Sequence, residues 1–176
     1  MEINGASLQE GKMRKLLLLL FLIMIATFSS SPSLLVKDPS TWVEKPRYVS
    51  EFDVRFIVAL DSEFYQPYGL FRDSSEFILR KIGHFIAYAS LALLFFVNLW
   101  RLRLRYRLFF SWLLASLVGF ADEINQHFII GRDGRLMDVI LNSSAAFTAV
   151  VVAAVFLLVK RSLENHKVKF DRRLSG

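Results

Sequence analysis

The segment ADEINQHFIIGRDGRLMDVILN, residues 121–142, ends one apolar stretch, makes a short turn, and opens the next. Charged and amide side chains are expensive at membrane depth, so their collection at two adjoining helix ends reads as a functional site by default. The residues concerned are Asp122, Glu123, Gln126, Arg132, Asp138 and Asn142.

The composition around this segment agrees with a membrane setting. The chain has 176 residues, 54% of them hydrophobic, with 17 Phe and a mean hydropathy of +0.40. That is too apolar for an ordinary soluble domain, and one bundle is the natural domain count. The predicted class is all-α: an integral membrane four-helix bundle forming a single domain over 1–176, with an extracytoplasmic interfacial loop. Spans are expected at about 15–31, 82–100, 108–130 and 136–159, with an outer loop over 32–81 and a solvated basic tail over 160–176. A helix needs about 20 residues to cross a hydrocarbon core of roughly 30 Å, so the last three reach only with their polar ends counted. The first stretch has a basic lead-in, Lys12, Arg14 and Lys15, a short apolar core and trailing serines. Those features also fit a secretory signal peptide; the reading adopted is a retained span.

Orientation follows from Lys and Arg. With a cytoplasmic N-terminus, the inner segments hold Lys12, Arg14 and Lys15, then Arg101, Arg103, Arg105 and Arg107, then Lys160, Arg161, Lys167, Lys169, Arg172 and Arg173. These are more than half of the 22 basic residues. The short turn between the second and third spans weighs most, because the bias acts through short loops. Both termini then lie in the cytoplasm and the polar cluster faces outward. The net charge of +6 is accounted for by this orientation and by anionic headgroups, so nucleic acid is not the expected partner.

Helical spacing groups the site. Lys81, His84 and Tyr88 are related by steps of three and four and stack along one face. Ser111, Ala115, Gly119 and Glu123 recur every four residues, and Asp138 and Asn142 lead into Ala145, Ala146, Ala149 and Ala153. Stripes of small residues are where membrane helices approach closely, so Glu123, Asp138 and Asn142 are aimed at the bundle interior. Asp122 lies about 100° round the helix from Glu123 and is expected to face solvent. The long loop carries Trp42, Tyr48, Phe52, Phe56, Ile57, Phe64, Tyr65, Tyr68 and Phe71 among charges and prolines. It reads as an interfacial linker rather than a structured lid, with a short amphipathic helix within 54–60.

Two motifs stand in these helices. Lys81-x-x-His84-Phe85-x-x-Tyr88 is followed by Asp122-Glu123-x-x-Gln126-x-Phe128-x-x-x-Arg132-x-x-x-x-x-Asp138-x-x-x-Asn142. Together they resemble the signature of VanZ-like membrane proteins, over roughly residues 16 to 159. The resemblance implies a small bacterial integral membrane protein from a family named for accessory resistance to the glycopeptide teicoplanin, without an established biochemical activity. The chain departs from the pattern at Ser143-Ser144, where family members commonly carry a glycine after the asparagine.

The chemistry open to these groups is limited. Glu123 is the candidate general base and His84 its acid or orienting partner. Arg132 and Lys81 form a candidate anion clamp, with Tyr88, Asp122, Gln126, Asp138 and Asn142 as further ligand-binding residues. Each also has a plain structural use: Asp138 as a helix cap, Asn142 as an interhelical fastener, Arg132 as a residue snorkelling to headgroups, Lys81 as an interfacial anchor. The chain has no Cys, which removes disulfides, thiolate metal sites and a cysteine nucleophile. No paired histidine spacing occurs, and no metal or other cofactor is expected. Gly-rich phosphate loops and nucleophile elbows are absent from the sequence.

Three functions fit. The first is an envelope protein that binds membrane lipids or an anionic lipid-linked cell-wall precursor; it is preferred. The second is a membrane enzyme acting on such a precursor through Glu123 and His84. The third is a scaffold whose polar cluster only fixes helix packing.

Overall fold

In a computed structural model, the structure describes residues 4–68 and 74–174, with side chains described for 9–68 and 74–167. It contains four α-helices: α1 (Asn4–Ser29), α2 (Ser75–Asn98), α3 (Leu104–His127) and α4 (Leu136–Leu174). Three of them, α2, α3 and α4, are long and apolar enough to cross a membrane by length and composition.

Small residues bring α3 and α4 together. Ser111, Ala115, Gly119 and Glu123 are buried along α3, facing Asn142, Ala145, Ala146, Ala149 and Val150 of α4. α2 completes the interior with Tyr88, Leu91, Ala92 and Phe96. Large apolar side chains such as Phe109, Leu117, Phe147, Val152 and Phe156 point outward. Close packing of small residues inside and bulky apolar residues outside is the pattern expected where lipid, not water, is the solvent. The glycine missing after Asn142 has a counterpart on the facing helix. A Cβ on Gly119 would lie 3.0 Å from Asn142 Cβ and 3.2 Å from the Tyr88 ring. Ser143, one residue on, bonds Ser116 at 2.9 Å and receives the Trp112 indole N–H at 3.2 Å.

The helices run antiparallel in sequence order, so their ends sort into two poles. At the basic pole the Asn98 side chain donates to the Arg14 carbonyl at 3.2 Å, and Arg107 donates to the Phe96 carbonyl at 2.5 Å. At the other pole Ser29 and Ser30, ending α1, meet Gln126 and Asn125, ending α3. α1 leans on α2 through the core residue Ile25.

Three parts of the sequence reading change. α2 begins at Ser75, capped by the Ser74 hydroxyl, well before the expected start at 82, so the boundary between loop and helix moves while Lys81 keeps the helical face it shares with His84 and Tyr88. α4 continues helically to Leu174, and the tail expected to be a simple solvated extension is a continuation of the last helix, exposed as far as its side chains are described. Lys169, Arg172 and Arg173 lie beyond those side chains. The loop is more than a linker. Val49 N–H donates to the Phe128 carbonyl and Ile130 N–H to the Arg47 carbonyl, at 3.0 and 2.9 Å. Phe64 is only 1% exposed and meets Phe56, which stacks on His127 at 3.7 Å between ring centroids. Within 54–60 the helix is one 3-10 turn, Val54–Ile57, capped by Asp53. Phe71 lies outside the described residues.

Two glycines shape the turn between α3 and α4. Gly131 adopts a φ of +90°, open to glycine at no steric cost. Gly134 is pressed onto α3: a Cβ there would stand 1.9 Å from the Glu123 carbonyl oxygen and 2.8 Å from His127 N. This contact lets the next residue, Arg135, donate its backbone N–H to Glu123 Oε2 at 3.1 Å. Gly134→Ala must push the turn off α3, at a cost of about 1–3 kcal/mol or more. The expected result in thermal unfolding of the purified protein is a clear loss of stability, whereas Gly11→Ala, in open space, leaves the transition close to wild type.

Candidate functional site

The polar pole is built from three helix ends and the loop above them. α3 supplies Asp122 and Glu123, which are 8% and 0% exposed. Asp122 was expected to face solvent. Instead it is enclosed, because the interior at this level is wide enough to take two adjacent positions of α3. The Tyr88 hydroxyl donates to Asp122 Oδ2 at 2.9 Å and the Gln126 amide to the same oxygen at 3.0 Å. Gln126 also donates to Ser29 Oγ at 2.7 Å, and its own oxygen accepts from Arg132 Nη2 at 2.7 Å.

Arg132 does not reach out to headgroups. It folds inward and is 9% exposed, its second nitrogen, Nη1, buried without a hydrogen-bond partner. Burial, with Arg80 nearby, pulls the guanidinium below its ordinary value, against the opposing pull of Asp122, Glu123 and Asp138. An arginine in this position offers a donor to an anion that the protein itself does not supply.

Asp138 lies in the first turn of α4 and is not merely a cap. It pairs with Lys81 of α2 and accepts the Tyr68 hydroxyl at 2.8 Å; burial and the Asp138 charge push the Tyr68 hydroxyl above its usual range. Lys81 is likewise more than an anchor, with 19% of its side chain exposed and its ammonium 4.8 Å from the Tyr68 ring and 4.9 Å from that of Phe77. Asn142 is fully buried against Gly119 of α3, and neither of its amide atoms has a hydrogen-bond partner.

His84 is half-buried on α2, its ring roughly parallel to that of Tyr88. One ligand atom each from His84, Asp122 and Glu123 lies within 4.8 Å of the other two. The sequence argument against a metal concerned spacing along a single helix; here the three groups come from α2 and α3. All nine residues singled out from the sequence thus lie at one pole, with Lys81 bonded to Asp138 and Tyr88, Asp122, Gln126 and Arg132 joined in a second chain of hydrogen bonds. Sequence reasoning passed over Ser29, Tyr68, Arg80 and the backbone N–H of Arg135. The trailing serines and loop tyrosine had no helical period to mark them.

Next to this pole is a cavity of about 370 Å³ between α1, α2 and the loop. Phe21, Ile25, Phe28, Leu34, Trp42 and Ile86 make it largely apolar, and Arg80, His84, Tyr88, Asp122 and Arg132 form its polar corner. The Lys81–Asp138 pair beside it is buried enough that removing one partner leaves a charge stranded. Lys81→Met is expected to cost about 3–5 kcal/mol, and Lys81→Met with Asp138→Asn to recover most of that. Thermal unfolding of the two variants beside wild type measures it.

No curated protein and no solved structure matches the chain. The VanZ/LLP1 family matches residues 15–158, which include α2, α3, the turn at Gly131 and the part of α4 that carries Asp138 and Asn142. With three helices able to span a bilayer, the chain is a membrane protein that belongs to the VanZ/LLP1 family.

Proposed function

We propose that the protein binds an anionic lipid-linked or cell-wall component at the polar pole, from the outer leaflet of a bacterial plasma membrane, and thereby lowers susceptibility to glycopeptides such as teicoplanin. On this reading the chain forms a four-helix membrane bundle, with α1 as the fourth span, both termini cytoplasmic and the loop over 30–74 extracytoplasmic. The retention of α1 is supported by its contribution of Ser29 and Ser30 to the site. The orientation is supported by Arg101, Arg103, Arg105 and Arg107 in one short turn at the opposite pole.

The single observation that carries the ligand reading is Arg132 Nη1, a buried, unpartnered cationic donor on a residue lining an apolar cavity. A phosphate or carboxylate headgroup bonded to that nitrogen, with its chain among Phe21, Ile25, Phe28 and Ile86, satisfies both halves of the cavity. A second reading, a membrane enzyme acting on the same precursor, is favoured by the approach of His84 to within 4.8 Å of Glu123, a separation that one bridging water or a substrate group spans.

The test uses wild type, Arg132→Gln and Glu123→Gln, purified in native-like lipid and incubated with a labelled pool of envelope lipids, with retained and released lipids analysed by mass spectrometry. The binding reading expects an unchanged lipid retained by wild type and held about tenfold more weakly by Arg132→Gln, the loss of one hydrogen bond to a charged group. A new product formed by wild type and not by Glu123→Gln would establish the enzyme. Equal retention by all three would reduce the cluster to packing.

A further inference from the structure

Asp122 and Glu123 are neighbours on α3, both buried, and among the described residues neither belongs to an ion pair. The cations nearby answer them only in part. Lys81 is paired with Asp138, and Arg132, bonded to the neutral Gln126 amide, answers the two acids with a single charge and no ion-pair contact. Hydrogen bonds reach the two acids from neutral groups, among them the Tyr88 hydroxyl, the Gln126 amide and the Arg135 backbone N–H. Two buried carboxylates answered by one cation outside ion-pair distance are costly, and proteins commonly answer the cost with a proton or a metal ion.

A proton would relieve the charge but leaves the placement of His84 unexplained. The imidazole brings a ligand atom within 4.8 Å of an oxygen of each acid, and no hydrogen bond to a protein group among the described residues holds it there. Asn142 provides a separate observation. It is fully buried with Nδ2 and Oδ1 both unpartnered, against Gly119, one turn from Glu123, and beside the Tyr88 ring that lies over His84. An orphaned amide in the same interior calls for an ion or water that satisfies it.

We propose that His84, Asp122 and Glu123 hold one divalent transition-metal cation of the zinc type, enclosed on the α4 side by Asn142. A dication cancels the two carboxylates, and the Arg132 charge is then left for an anionic ligand. One imidazole with two carboxylates suits zinc and its neighbours better than magnesium or calcium, which take oxygen ligands. Three protein ligands with remaining positions open to a ligand is the arrangement of catalytic, not structural, zinc. His84 and Asp122 both line the cavity, so those positions face the place where an anion would meet Arg132. In this role His84 and Glu123 are ligands and not a proton-carrying pair. The inference goes beyond the lipid-binding reading and stands independently of it.

The experiment takes the full chain in detergent, strips it with a chelator, and titrates it with ZnCl2, following bound metal by elemental mass spectrometry and the Co2+-substituted form by its d–d absorption. The expected result is one metal per chain in wild type. His84→Gln and Asp122→Asn should each weaken it about tenfold or more, the loss of even an outer partner having that size. His166→Gln, an exposed histidine of α4, leaves it unchanged. Wild type that retains no metal, or His84→Gln binding as tightly as wild type, overturns the proposal. If either site variant elutes misfolded, X-ray absorption of the wild-type zinc form decides: an imidazole among oxygen ligands supports the assignment, and an all-oxygen shell refutes it. Lipid retention measured with and without zinc keeps this outcome separate from that of the ligand reading.

Discussion

Burying two acids side by side near the end of an apolar helix sets the terms for everything around it. Asp122 and Glu123 remain at that depth only because the surrounding helix ends, loop and turn bring polar partners to them. Tyr88 comes from α2, Gln126 from one turn further on, and the Arg135 N–H from a turn that Gly134 holds against α3. A hydrogen bond among neutral partners offsets desolvation but not charge. The two acids therefore have hydrogen-bond partners but no ion pair, and beside them Arg132 Nη1 and the Asn142 amide have no partner at all, which is the usual state of a site made for something else to enter.

The fold delivers this pole with little machinery. Gly119 lets α4 approach until Asn142 touches α3, and Ala115, Ala145, Ala146 and Ala149 keep the helices close below it. Lys81 and Asp138 tie α2 to α4 at the rim. Arg135 reaches over to the Gln66 and Pro67 carbonyls at 3.3 and 3.0 Å, and Tyr68 reaches Asp138, so the loop roofs the site on this side. α1 stands further out, and the space between it and α2 is the cavity. On the proposed topology the bilayer and the site share one wall, which suits an amphiphilic ligand whose apolar part never has to cross water.

The helices and most of the site could be read from the sequence because both rest on period. Steps of three and four placed Lys81, His84 and Tyr88 on one face and Glu123 above a small-residue stripe. The same logic misplaced Asp122, since an angle round one helix says nothing about how wide the interior is where three helices and a loop meet. Arg132 and the loop were harder. A guanidinium can extend or fold back with equal ease from a turn, and only the Gln126 oxygen decides which. Tyr48 and Tyr68 act through non-local contacts that no pattern in 32–81 announces. The triad of His84, Asp122 and Glu123 crosses from one helix to another, so a search for ligand spacing along the chain passes it by.

The proposed binding of a cell-wall component requires the polar pole to face the outside of the cell. The chain has no Cys, so single cysteines at Asp133, exposed in the turn between α3 and α4, and at Arg103, exposed in the turn between α2 and α3, report the two poles cleanly. Treating intact cells with a membrane-impermeant maleimide should label Asp133→Cys and spare Arg103→Cys until the cells are opened. Labelling of Arg103→Cys alone in intact cells would place the site in the cytoplasm, where no extracytoplasmic wall component reaches it, and would contradict the account.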